Sequence, residues 1–181
     1  MKKLWYSIIT LAFMLPLSAS AADSAAVLDA KVNEAIQNFK TEVNGADVFL
    51  RQSAGYLVFP RVIKIGIGLG AETGEGALRV AGRSAAYYRT TSGSFGLQLG
   101  AQAKSIVIAF MTKESLAAFR NSSGWQVGVD GSVALIDIGA GKQINTKNIK
   151  DPVVGFIFGS KGLMYNLTLE GTKISRVKKD R

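Results

Sequence analysis

Neither cysteine nor histidine occurs anywhere in the 181 residues. Disulfide bonds are therefore excluded, and so are thiolate and imidazole metal sites, cysteine nucleophiles and Ser-His-Asp triads. Stability must come from packing, and any chemistry is left to carboxylates, lysine, tyrosine or the backbone. Acidic residues are missing altogether between Gly76 and Lys113. The N-terminal apolar run, residues 4–17, is interrupted by Ser7, Thr10 and Pro16 and falls short of the roughly 20 residues that a spanning helix needs.

That short run has flanks of its own kind. Lys2 and Lys3 precede it, and Ala19-Ser20-Ala21 follows as a small-x-small cleavage signature. Together they predict a secretory signal peptide over residues 1–21 and a single domain over 22–181. No cysteine follows the run and no arginine pair precedes it, which argues against a lipid-modified N-terminus and against the twin-arginine route. The expected destination is the periplasm or the exterior, with the protein peripheral on a membrane.

What the sequence does have is positive charge and glycine. The formal net charge is +9, and +7 once Lys2 and Lys3 are removed. The surplus falls in two blocks, residues 76–113 at net +5 and 138–181 at net +6, while 22–75 and 114–137 each carry −2. A basic surface favours anionic partners. Export disfavours nucleic acid, and no pattern of stacking aromatics accompanies the cations. The tail of Lys173, Arg176, Lys178, Lys179 and Arg181 is the densest run, and each such residue near an anionic membrane contributes about 1 kcal/mol.

Periodicity predicts an α+β fold. Residues 23–43 carry Leu28, Val32, Ala35, Phe39 and Val43 at helical spacing, widened by Val27 and Ile36, with Asp23 or Ser24 as cap and Asn44-Gly45 as stop. This helix is expected to pack on the domain, since a membrane-surface helix is richer in Lys and Arg. Strands follow at 56–59, 62–70, 77–80, 84–89, 95–102 and 106–111, with turns expected at 72–76 and 92–94. Along 62–70, Ile63, Ile65, Ile67 and Leu69 form an aliphatic face, and the opposite face is bare backbone after Lys64. Residues 106–111 read as a strand covered on both faces. A short helix is expected at 113–120, capped by Thr112, with Leu116, Ala117 and Phe119 inward. An alternating stretch from Trp125 to Leu135 turns at Asp130-Gly131. A basic loop over 139–152 then precedes closing strands at 153–158, 163–169 and 173–177. The twenty glycines let such a sheet curl or admit another backbone closely. The expected architecture is a strongly curved, mainly antiparallel β-sheet or partial barrel, with an N-terminal helix and one short internal helix.

Motifs for catalysis fail on spacing. Gly66-x-Gly68-x-Gly70 has its third glycine one position early for a dinucleotide loop, and strand signals follow it. Gly141-Lys142 lacks the upstream glycine and the following hydroxyl residue of a phosphate loop. Glu72 and Glu75 fall in one predicted exposed turn, where they serve solubility better than acid–base chemistry. No enzyme, catalytic residue, metal or cofactor is expected.

Several ordered segments resemble one known family, the SYLF domain. They are Tyr56-Leu-Val-Phe-Pro60, the Val62-x-Lys64-x-Gly66-x-Gly68-x-Gly70 run, Gly74-Glu-Gly76-Ala-Leu78, Ser94-Phe-Gly-Leu-Gln-Leu-Gly-Ala-Gln102, Val127-Gly-Val-Asp-Gly131, Lys161-Gly-Leu-Met164 and Leu169-Glu-Gly-Thr-Lys-Ile174. One departure is Arg83-Ser-Ala-Ala-Tyr-Tyr88, which stands where many members carry Trp-x-x-Pro. The resemblance implies a lipid-binding domain. Eukaryotic members bind phosphoinositides and act in actin and membrane remodelling, and bacterial members are exported. In a bacterial envelope the matching anions are phosphatidylglycerol, cardiolipin or lipopolysaccharide phosphate. The family supplies no ligand residues to carry over, so the expected lipid contacts rest on charge alone: Lys64, Arg79, Arg83, Lys173 and Arg176.

The expected function is therefore an exported envelope protein that binds anionic lipid or phosphorylated head groups through a basic face. The alternative is a non-catalytic structural or protein-interaction module of the periplasm, its protein partner unknown. A small outer-membrane barrel is a third reading, against which stand the charged terminus Lys178-Lys-Asp-Arg181 and the two helices.

Overall fold

The computed structural model describes residues 23–137, 150–161 and 169–180, with the backbone alone at 67, 68, 94–99 and 137. The expected leader, most of the expected basic loop and most of the expected strand at 163–169 lie outside these residues. The elements are α1 (Ala25–Glu42), α2 (Ala46–Gln52), β1 (Gly55–Val80), β2 (Arg83–Phe110), α3 (Lys113–Asn121), β3 (Trp125–Gln126), β4 (Ala134–Asp137), β5 (Val153–Lys161) and β6 (Lys173–Val177).

The helices follow from caps and apolar spacing. Ser24 caps α1 by accepting from the Val27 amide, and the helix buries Leu28, Val32, Ala35, Ile36 and Phe39. Val27 was expected on that stripe but is 45% exposed, because the buried face runs through positions 25, 28, 32 and 36. Gly45, at φ 87°, ends the first helix and opens α2, which the sequence pattern left unassigned. In α3 the Thr112 cap and the inward Leu116 and Phe119 stand as expected, but Ala117 points to solvent.

The strands are longer than their pattern suggests. β1 and β2 pair antiparallel along their whole length and turn at Ala81-Gly82, where both residues have positive φ, as a two-residue hairpin loop requires. The turns expected at 72–76 and 92–94 do not exist. Both segments are strand, Glu72 pairing with Ser92 and Gly74 with Thr90. A straight strand of 26 residues would reach about 85 Å, far beyond the roughly 15 Å radius of gyration of a domain this size. The hairpin therefore curls back on itself, with register shifts at Phe59/Val62, Ile67/Leu69 and Leu78/Arg79. Glycines mark where the folded halves meet. A Cβ on Gly66 would lie 2.7 Å from the Gly70 Cα, and one on Gly76 would run into the Val58 carbonyl. The composition that reads as turn is a record of close backbone approach.

On its other edge β2 pairs with β6 over 87–91 and with β5 over 103–110, both antiparallel, while β4 joins β5 in parallel. The result is a curled half-barrel sheet with helices packed on it, the α+β class expected from the sequence. Residues 106–110 are buried on both faces. Val107 and Ala109 face α1 and α2, where Phe39 stacks on Phe156 and Phe158 at 5.1 Å. Ile106, Ile108 and Phe110 face α3 and β3, where Phe119 meets Trp125 edge-on at 5.6 Å. Asp130 takes a turn role by accepting from the Gln126 amide, and Val129, read as part of an alternating strand, is 72% exposed on that turn.

Candidate functional site

The curled hairpin is inside out relative to an ordinary soluble sheet. Lys64 pairs across the ladder with Gln102, and Val62 with Lys104, so these four side chains share one face. That face turns inward, and all four are at least nine-tenths buried. Glu72 reaches them from the folded-over half of β1 and forms an ion pair with Lys104 at 3.1 Å, both side chains almost fully enclosed. Its Oε1 is buried without a hydrogen bond, and Lys64 makes no ion pair among the described residues. The opposite face, aliphatic in the sequence, points outward: Ile65 is 61% and Leu69 64% exposed. Glu72 is thus an interior counter-ion, not a solubilising turn residue.

Two clefts flank the bend at Pro60–Arg61. One, of about 640 Å³, lies between the start of α1 and the bend and is lined by Lys31, Arg61, Ile63, Glu75, Arg89 and Thr91, among others. The second, of about 450 Å³, lies between the end of α1 and β5, with Arg61, Lys104, Ser105 and Lys161 in its walls. Acids in the first cleft already have partners. Lys31 holds Asp23 at 2.7 Å, and Glu75 takes both Arg89 and Lys179. Burial alone would push the Glu75 carboxyl up, but the hydrogen bonds from Lys179 and Arg89 outweigh it and hold the group below its ordinary value. Arg61, exposed and shared by both clefts, has no ion pair among the described residues.

The five residues expected to hold lipid are not gathered on one exposed face. Lys64 is inside the hairpin, as above. Arg79 is buried against α1, donating to Asn33 Oδ1 at 2.7 Å and to the Asp29 carbonyl at 3.3 Å. Asp29 also accepts from Ser84 and from Tyr87, whose phenol burial and then the Asp29 carboxylate push up. Arg79 ties β1 to α1, and both Lys64 and Arg79 are buried and so withdrawn from any surface role. Arg83 is exposed at the hairpin turn. Lys173 and Arg176 are exposed on β6, but their odd separation places them on opposite faces of the strand. Pairing of β6 with β2 does join the two basic blocks. In the tail, Lys179 is not free for a ligand: it donates to Glu75 and to the Asp23 carbonyl, while the Ala25 amide donates to the Asp180 carbonyl. Arg61 was missed because a single arginine beside a proline carries no pattern; its position at the bend is a tertiary fact.

A search among curated proteins finds no match to the chain. Residues 91–180 match a protein family described as Ysc84, Las17-binding protein actin regulator. The matched stretch begins within β2 and runs through α3, β3, β4, β5 and β6. The segments 94–102, 127–131, 161–164 and 169–174 that carry the resemblance fall inside the matched residues, and the chain belongs to the SYLF-domain family, a family of binding modules.

Proposed function

We propose that the protein is an exported, non-catalytic envelope protein that binds anionic lipid head groups, with Arg61 and the two clefts it joins as the receiving site. The observation that carries this reading is Arg61 itself. It stands exposed and, among the described residues, without an ion pair at the junction of both clefts, while the neighbouring acids Asp23 and Glu75 are already neutralised. In the first cleft a phosphate meets a guanidinium suited to two-pronged hydrogen bonding and carboxylates that already have partners, while Glu42 stands in the wall of the second. Lys161, in the second cleft, adds a further exposed cation. Export rests on the signal-peptide pattern of residues 1–21, and N-terminal sequencing of the protein recovered from the envelope fraction checks it.

The test is co-sedimentation of the exported protein with phosphatidylglycerol-containing and pure phosphatidylcholine vesicles at low and high salt. Binding is expected only to the anionic vesicles, to weaken with salt, and to fall in Arg61→Glu. Equal binding to both vesicles, or an unaffected Arg61→Glu, overturns the head-group site. The matched family is described by a protein partner, Las17, so a protein-interaction role is the second reading, and vesicle binding absent under all conditions would favour it.

A further inference from the structure

The lobe formed by residues 62–72 of β1 and 92–104 of β2 contains three charged residues in its sequence: Lys64, Glu72 and Lys104. All three are buried, at 6%, 6% and 3% exposure. Outside, the same lobe presents Ile65 and Leu69 at more than half exposure, with Ala71 and Ala101 exposed beside them. A water-facing lobe would place its charges the other way round, since burying an ion costs several kcal/mol while exposing an aliphatic side chain forfeits its hydrophobic stabilisation. Charge inside and aliphatic outside is the partition used by β-structures that face lipid.

The base of the lobe is the reverse. Arg61 directly precedes it on β1, and Arg89 lies just before it on β2. Lys161 pairs with Ala103, and Lys173 pairs with Thr91. All four cations are exposed, and among the described residues only Arg89 of these has an ion pair, with Glu75. An uncharged aliphatic tip above a collar of cations is complementary to one surface, an anionic bilayer: hydrocarbon for the tip, phosphate for the collar.

We propose that this lobe is a membrane wedge, inserting Ile65 and Leu69 past the head groups of an anionic bilayer while Arg61, Lys161 and Lys173 hold the phosphates. The inference rests on the lipid-binding reading above and adds the depth and the element that enters. Among the described residues β1 pairs only with β2, which leaves its outer edge unsatisfied. Insertion therefore stops at the boundary of head groups and acyl chains, where water still reaches that edge.

The lack of cysteine makes the test direct, because one introduced thiol takes one label. Leu69→Cys and, as control, Val48→Cys each carry a polarity-sensitive fluorophore; Val48 is 44% exposed on α2, a helix outside the lobe whose Phe49 packs on Phe156. Vesicles contain phosphatidylglycerol with or without brominated acyl chains. The label at position 69 is expected to brighten, shift to the blue and be quenched by bromine, and the label at 48 to do none of these. Ile65→Asn with Leu69→Asn, both at exposed positions and neither changing the charge, is expected to lower partitioning at least tenfold at unchanged salt dependence. Co-sedimentation with an unquenched label at 69 overturns the wedge and leaves head-group binding standing. No co-sedimentation at all overturns both.

Discussion

Removing the Glu72 carboxylate tests whether the interior of the hairpin is held by charge. In Glu72→Gln the side chain keeps its volume and loses its negative charge. Lys104, 3.1 Å from Glu72 with both side chains at most 5% exposed, is then left as a buried ammonium beside Lys64, which has no ion pair of its own among the described residues. Breaking a buried pair by removing one partner costs about 3–5 kcal/mol. Set against a total stability of about 5–15 kcal/mol, that is enough to lower the urea midpoint well outside error. Replacing both partners, as Glu72→Leu with Lys104→Met, removes the desolvation cost along with the attraction and is expected to lie within about 2 kcal/mol of the parent. The assay is equilibrium urea unfolding at neutral pH by circular dichroism. A Glu72→Gln loss below about 1 kcal/mol, or a double variant as unstable as the single, refutes the reasoning. The first outcome would mean that the lobe interior is wet, and the second that the side chains matter by packing and not by charge.

Other consequences are as specific. Gly76→Ala should destabilise strongly, because its Cβ meets the Val58 carbonyl, whereas Gly93→Ala, with open space around it, should change little; thermal unfolding of the two compares them directly. Phe39→Ala should cost about 3–5 kcal/mol and release α1 from the sheet, read as faster amide exchange in α1 than in β5. Because the folded-state pKa of Glu75 is depressed, its contribution is present above the ordinary glutamate value of about 4.3 and is lost as pH falls through the lower folded value. Acid should therefore loosen the grip on Lys179 and expose the C-terminal tail to proteolysis, and Glu75→Gln should do so at neutral pH.

Much of the architecture was legible because its signals are local. Helix α1 is written in the three-four spacing from Leu28 to Val43 and in the Ser24 cap. The two-sided burial of residues 106–110 is written in an unbroken apolar run. Glycine-rich stretches misled at 72–76 and 92–94, because glycine marks a turn and a close backbone approach with the same residue. Among the site residues, charge identified Lys173, Arg176 and Arg83 as cations but could not say that Lys64 and Arg79 are interior, since an alternating strand shows two faces without naming the one that is wet.

The sequence by itself determined the α+β class, the absence of thiol and imidazole chemistry and the excess of positive charge, because composition, caps and periodicity are properties of neighbours along the chain. Only the tertiary structure decided the direction of the hairpin. The curl that folds β1 over itself encloses Lys64, Glu72 and Lys104 together, turns Ile65 and Leu69 outward and leaves Arg61 at the mouth of two clefts. Those relations join residues far apart along the chain, and the closeness of Glu72 to Lys104 comes from a bend that no local pattern encodes.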